Sequence, residues 1–97
     1  MQVRFITPAA QEFLAAVDFY ETQAPGLGND FILDVEGSLR LIQEFPHLGS
    51  PGPAGTRRIH LHRFPYSIVY RPEEDLLRVI AVEHQRRRPG FWMDRLQ

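Results

Sequence analysis

The side chains best suited to chemistry lie in the second half of the chain. His84 is followed by Arg86, Arg87 and Arg88, and Arg57, Arg58, His60, His62 and Arg63 precede them. Imidazole is the side chain best suited to serve as acid or base at physiological pH. Guanidinium forks match phosphate and carboxylate geometry. Each residue also has a structural reading. His84 can tie its strand to the final turn through Glu83 or a backbone carbonyl, and a short arginine run is commonly a solvated face or a binding edge. His60 and His62 alternate on one predicted strand and, with His84, imitate a three-histidine metal site. No Asp or Glu falls in a matching pattern, so these histidines read as partner surface; no metal and no cofactor is assigned.

Charge is divided unevenly along the chain. Residues 1–56 hold two Arg and seven acids, for −5, whereas residues 57–97 hold nine Arg and five acids, for +4. There is no Lys. A basic face on a small protein is the electrostatic footprint of a polyanion or an acidic partner. The candidate binding residues are accordingly Arg57, Arg58, His60, Arg63, Arg86 and Arg88. With no cysteine, disulfides and Cys-ligated metals are excluded. No apolar run is long enough for a membrane span, and 97 residues with 43% hydrophobic content fit one domain over residues 1–97.

The elements that must position these residues follow from periodicity. Val3 and Phe5 alternate with Gln2 and Arg4 as a half-buried strand. Thr7 is placed to cap a helix beginning at Pro8 and running to Gln23, with Ala9, Phe13, Val17 and Tyr20 on its apolar stripe. Residues 24–28 break it. Asn29 or Asp30 then caps a second helix with Phe31, Val35, Leu39 and Ile42 on one side. Three Pro and three Gly between residues 46 and 56 make a loop. Residues 57–62 read as a strand with Ile59 and Leu61 on one face and Arg58, His60 and His62 on the other. Residues 66–70 form the next strand, and residues 76–82, apolar on both faces except at Arg78, form an interior one. Phe91 and Trp92 pack the last turn. The prediction is an α+β fold, β-α-α-β-β-β with a short C-terminal helix, in which a helical hairpin covers one face of a small, largely antiparallel sheet.

Several residues in this order also resemble a family. They are Tyr20-Glu21, Gly26-Leu27-Gly28 with Phe31, Phe45-Pro46 and Gly49, the run Phe64-Pro65-Tyr66-Ser67-Ile68-Val69-Tyr70, and Ala81-Val82 with His84, Arg87, Pro89, Trp92 and Arg95. Together they resemble the RelE/ParE toxins of type II toxin–antitoxin modules across nearly the whole chain. The resemblance implies a small cytoplasmic bacterial toxin of a plasmid-stabilisation type module. It also implies a cognate antitoxin whose C-terminal segment wraps the toxin.

Two targets divide that family: RelE-like members cleave messenger RNA on the ribosome, and ParE-like members poison DNA gyrase. Metal-free RNA cleavage needs a group to take the 2′-OH proton, cations to hold the phosphate and an acid for the leaving oxygen. His84 and Arg87 are the catalytic candidates for such a reaction, with Arg57, Arg58, Arg63 and Arg86 available as phosphate clamps. Ser67, however, stands where ribonuclease members carry a strand arginine. Phe91 and Trp92 occupy the region of their C-terminal catalytic tyrosine, and neither can transfer a proton. The sequence therefore sides with the ParE-like branch. The alternatives are a ribosome-dependent endoribonuclease and a non-toxic, antitoxin-binding regulatory partner.

Overall fold

The structure is a computed structural model describing residues 1–96. Its elements are β1 (Gln2–Phe5), α1 (Thr7–Gln23), α2 (Leu27–Glu44), β2 (Ser50–Pro51), β3 (Arg57–His60), β4 (Tyr66–Pro72) and β5 (Leu76–His84), with 3-10 turns at Pro53–Gly55 and Met93–Leu96. The sheet order is β1-β5-β4-β3-β2. β1 runs parallel to β5 and every other pairing is antiparallel. The predicted α+β arrangement is therefore present, with one added strand, β2, inside the Pro- and Gly-rich loop.

The apolar stripe of α2 reaches the sheet more deeply than that of α1. Phe31, Val35 and Ile42 are fully buried against Ile68, Tyr70, Leu77, Val79 and Val82, whereas α1 contributes Ala9 and Ala16, with Phe13, Val17 and Tyr20 at the margin. Tyr20, Phe31, Phe64 and Tyr66 form an aromatic cluster, with Tyr20 and Phe64 centroids 4.6 Å apart and Phe31 and Tyr66 5.1 Å apart. Such pairs add to the free energy of area burial through edge-to-face contact.

Helix ends depart from the sequence reading in an instructive way. Thr7 does not cap α1; Ile6 occupies the cap position with no side-chain bond, and Thr7 and Pro8 open the first turn. Nor do Asn29 or Asp30 cap α2, which begins at Leu27. Its first N–H groups are satisfied by Glu21 from the preceding helix, which accepts from Gly26 at 3.1 Å and from Gly28 at 3.0 Å. Two glycines make that possible. Gly26 adopts φ +87°, and a Cβ on Gly28 would stand 2.9 Å from the Val17 carbonyl oxygen, so the hairpin closes only without side chains there.

β3 is also shorter than predicted. Past His60 the chain turns, and Asp34 of α2 accepts the backbone N–H groups of His62 (3.1 Å), Arg63 (2.8 Å) and Phe64 (3.2 Å). One carboxylate thus ends the strand and ties the turn to the helical hairpin. His62 is in that turn and does not share a strand face with His60.

The decisive irregularity lies between β4 and β5. Val69 pairs with Ala81 and Tyr70 with Val79, leaving Ile80 unopposed. A one-residue bulge reverses the facing of everything beyond it. Leu77, Val79 and Val82 consequently join the helix-side core, whereas Ile80 and Ala81 join Val69 and Trp92 in a second cluster on the back of the sheet.

Removing the Asp34 carboxylate leaves three N–H groups without their acceptor. Asp34→Ala should lower unfolding free energy by about 2 kcal/mol in urea denaturation. A change below about 0.5 kcal/mol, ordinary for a surface substitution, would contradict this role.

Candidate functional site

β1 stops opposite Val79, but β5 continues to His84. The upper part of β5 therefore has a free edge beside the start of α1. Two side chains occupy it. Glu12 accepts the Val82 N–H at 3.1 Å, and Arg95 donates to the Ile80 carbonyl at 3.0 Å. The two also bond each other as a fork, with Arg95 Nη1 and Nη2 each 2.9 Å from a Glu12 oxygen. Both are largely buried, at 14% and 17% side-chain exposure. An open strand edge carries unpaired backbone groups, and here side chains supply the bonds a strand would make.

His84 and Arg87 stand at the end of this edge. They line a cleft of ≈260 Å³ with Glu12, Ala15, Ala16, Phe19, Tyr66 and Val82. The bulge sends His84 to the helix side, where its ring meets Tyr66 edge-on at 5.2 Å. Its Nδ1 accepts the Arg86 N–H at 3.1 Å, so in the neutral ring the proton sits on Nε2. Among the described residues, neither Glu83 nor a carbonyl holds the ring. Arg87 lies 3.4 Å from Glu12 and stacks over Phe91 at 3.7 Å. Burial raises the Tyr66 hydroxyl above its ordinary value.

The back of the sheet carries a separate polar group. Glu83, 4% exposed, accepts the Trp92 indole N–H at 3.2 Å and lies 3.9 Å from Arg58. Burial pushes its carboxyl above the ordinary glutamate value, against the lowering effects of Arg58 and the Trp92 bond. His60 Nδ1 and Ser67 Oγ are 2.6 Å apart on the neighbouring strands. The Arg58 Nε is buried without a partner among the described residues.

The candidates named from sequence are thus dispersed. His84 and Arg87 share one cleft. Arg58 and His60 lie on the opposite face of the sheet. Arg57 is spent on the His47 and Gly49 carbonyls, at 3.0 and 2.9 Å. Arg63 sits in the turn after β3, 3.7 Å from Asp30 and against Phe64. Arg86 and Arg88 are exposed, with no ion pair among the described residues. The three histidines of the imagined metal site are not brought together, and no group of three His, Cys, Asp or Glu suited to a metal exists among the described residues. Sequence reading missed Glu12, although a carboxylate between Ala9 and Ala16, inside the helix's apolar stripe, was a usable signal. It also treated Glu83 only as a partner for His84.

A helical hairpin on a mostly antiparallel sheet, with a basic C-terminal segment fastened round the sheet's free edge, defines the α+β fold of this chain. The profile of the family described as ParE toxin of type II toxin–antitoxin system, parDE, matches residues 3–89, and the chain belongs to that family. Among solved structures, a chain of the chromosomal ParDE toxin–antitoxin system from P. aeruginosa superposes with a TM-score of 0.74 at 20% identity, covering 87% of this chain and 95% of that one. No curated protein sequence matches the chain.

Two outcomes test the site. Glu12→Ala leaves the Arg95 guanidinium without its carboxylate and the Val82 N–H without its acceptor, and should cost about 3 kcal/mol in urea unfolding. For Glu83, the native carboxyl holds its proton to higher pH than the unfolded one, so native stability declines as pH rises from the unfolded value through the raised native one. The stability of Glu83→Gln relative to wild type should therefore improve across that interval; a difference independent of pH would refute it.

Proposed function

We propose that this chain is a ParE-like toxin that inhibits DNA gyrase in the bacterial cytoplasm and is neutralised by a cognate antitoxin, with residues 1–97 acting as one domain. The observation that carries the reading beyond family membership is the dispersal of the ribonuclease parts. His84 and Arg87 face the helix side, Arg58 and His60 face the back, and Arg57 is bonded to loop carbonyls. A phosphodiester bound near His84 would meet Arg87 already paired with Glu12, and an Nδ1 already accepting a backbone N–H. General acid–base catalysis needs its groups within hydrogen-bond reach of one reacting atom. This arrangement favours recognition over cleavage.

Of the candidate binding residues, Arg86 and Arg88 are exposed with no ion pair among the described residues, on a turn directly after β5. Long-range attraction from such charges raises association rates with acidic surfaces and weakens with salt.

Purified protein should inhibit supercoiling by gyrase, and the antitoxin encoded in the neighbouring reading frame should relieve the inhibition. Reversing both charges, as Arg86→Glu with Arg88→Glu, should raise the concentration needed for inhibition by about tenfold with unfolding unchanged. Lack of inhibition at any ratio sinks the gyrase reading. Codon-positioned cuts in translated messages after induction, abolished by His84→Ala, would put a ribonuclease in its place.

A further inference from the structure

Six of the seven glycines are accounted for within the chain. Gly26, Gly55 and Gly90 take positive φ, and a Cβ on Gly28, Gly49 or Gly52 would stand less than 3.0 Å from another atom. Gly37 has neither reason. It lies in the interior of α2, where glycine weakens a helix relative to alanine. A Cβ there would meet only the tip of the Arg40 side chain, at 3.9 Å. The fold has room for a side chain at this position, so the gap leaves space for a close approach from outside the chain.

Leu33 and Leu41 flank Gly37 on the outer face of α2, 54% and 43% exposed. With Phe45, also exposed at the C-cap, they form a row at four-residue steps, which is one of the ridges by which helices pack. Gly37 is a notch in that ridge, and it lines a pocket with Leu33, Leu41, Asp34 and His62 beside the turn after β3. Two such ridges cross at about −50°, and the axes approach most closely, to roughly 8 Å, where the contact residue is small.

The row reads alike in both directions from Gly37. A second α2 crossing antiparallel at the notch sets Leu33 beside the second copy's Leu41, and Leu41 beside its Leu33. Glu36 and Arg40 are exposed on one flank of the row, with no ion pair among the described residues. In the same crossing each meets its opposite, Glu36 the second copy's Arg40 and Arg40 its Glu36. A parallel crossing would put the charges of the two copies on opposite flanks. The pattern is self-complementary, as an isologous two-fold contact requires, and the charges select the antiparallel sense.

We infer that the outer face of α2, centred on Gly37, joins two copies of this chain as a symmetric antiparallel dimer. The strip is narrow, so the association is weak, with a dissociation constant on the order of 100 μM. It shares no residue with the β5 cleft, whose helical wall comes from α1, or with the turn that carries Arg86 and Arg88. A dimer therefore holds two copies of each on one particle, and the inference is independent of the gyrase reading.

Sedimentation equilibrium of the full chain, from roughly 10 μM to 1 mM, should follow a single monomer–dimer equilibrium. Gly37→Gln should weaken association at least about tenfold while raising the urea midpoint, because glutamine is the better helix former; misfolding would lower that midpoint instead. Glu36→Arg and Arg40→Glu should each weaken association about fivefold, and the two together should restore it. A chain that stays monomeric over this range, or a dimer indifferent to these substitutions, overturns the inference. Weakening by both single reversals without restoration by the pair overturns the antiparallel contact. A chain monomeric alone, whose binding to the neighbouring-frame antitoxin is weakened by Gly37→Gln, also overturns it, because the face then belongs to that partner.

Discussion

Ile80 has no partner in β4, and that unpaired residue reverses the side to which every later residue of β5 points. Much of the structure depends on this slip. It sends the Glu83 carboxylate to the back face, where Trp92 and Arg58 wait for it, and turns His84 toward Tyr66 and α1. It also places Ile80 and Ala81 together under Trp92, giving the C-terminal segment an apolar surface to cover. A regular ladder would instead direct Glu83 into the helix-side core, where burial disfavours a charged carboxylate.

Carboxylates do much of the joining in this fold. Glu21 caps the helix that follows its own, Asp34 closes the turn after β3, Glu12 seals the β5 edge and Glu83 holds Trp92. Three of the four come from the acidic first half of the chain, and Glu12 and Asp30 pair with arginines of the basic second half. The charge asymmetry of the sequence is therefore partly consumed inside the molecule. What stays outside is narrower than the net +4 of residues 57–97 suggests, and it is concentrated around Arg86 and Arg88.

The fold was legible because its signals are local and periodic. The α2 stripe of Phe31, Val35 and Ile42, the apolar run of β5 and the breaks at Gly26 and Pro46 all report on neighbours in sequence. The caps were misread because Thr7 and Asn29 are good cap residues in the right places, whereas the acceptor for α2 reaches back from Glu21 on another helix. The site was less legible still. The bulge leaves no mark in a strand whose residues are apolar on both sides, so the face of His84 could not be assigned, and the meeting of Glu12 with Arg95 spans almost the whole chain. The family resemblance fixed the class of protein, but pairings of that range belong to tertiary structure alone.

At the far side of the sheet, β2 is only two residues long and one of them is Pro51. Proline has no N–H to offer a ladder, and so short a strand is a poor template for pairing. A sheet with one blunted side cannot propagate: whatever joins it at β5 finds no matching edge on the next molecule at β2. Growth of this sheet by edge-to-edge contact therefore ends after one addition, which limits it to discrete complexes and protects a protein with exposed Leu14, Phe19 and Leu33 from running on into fibres.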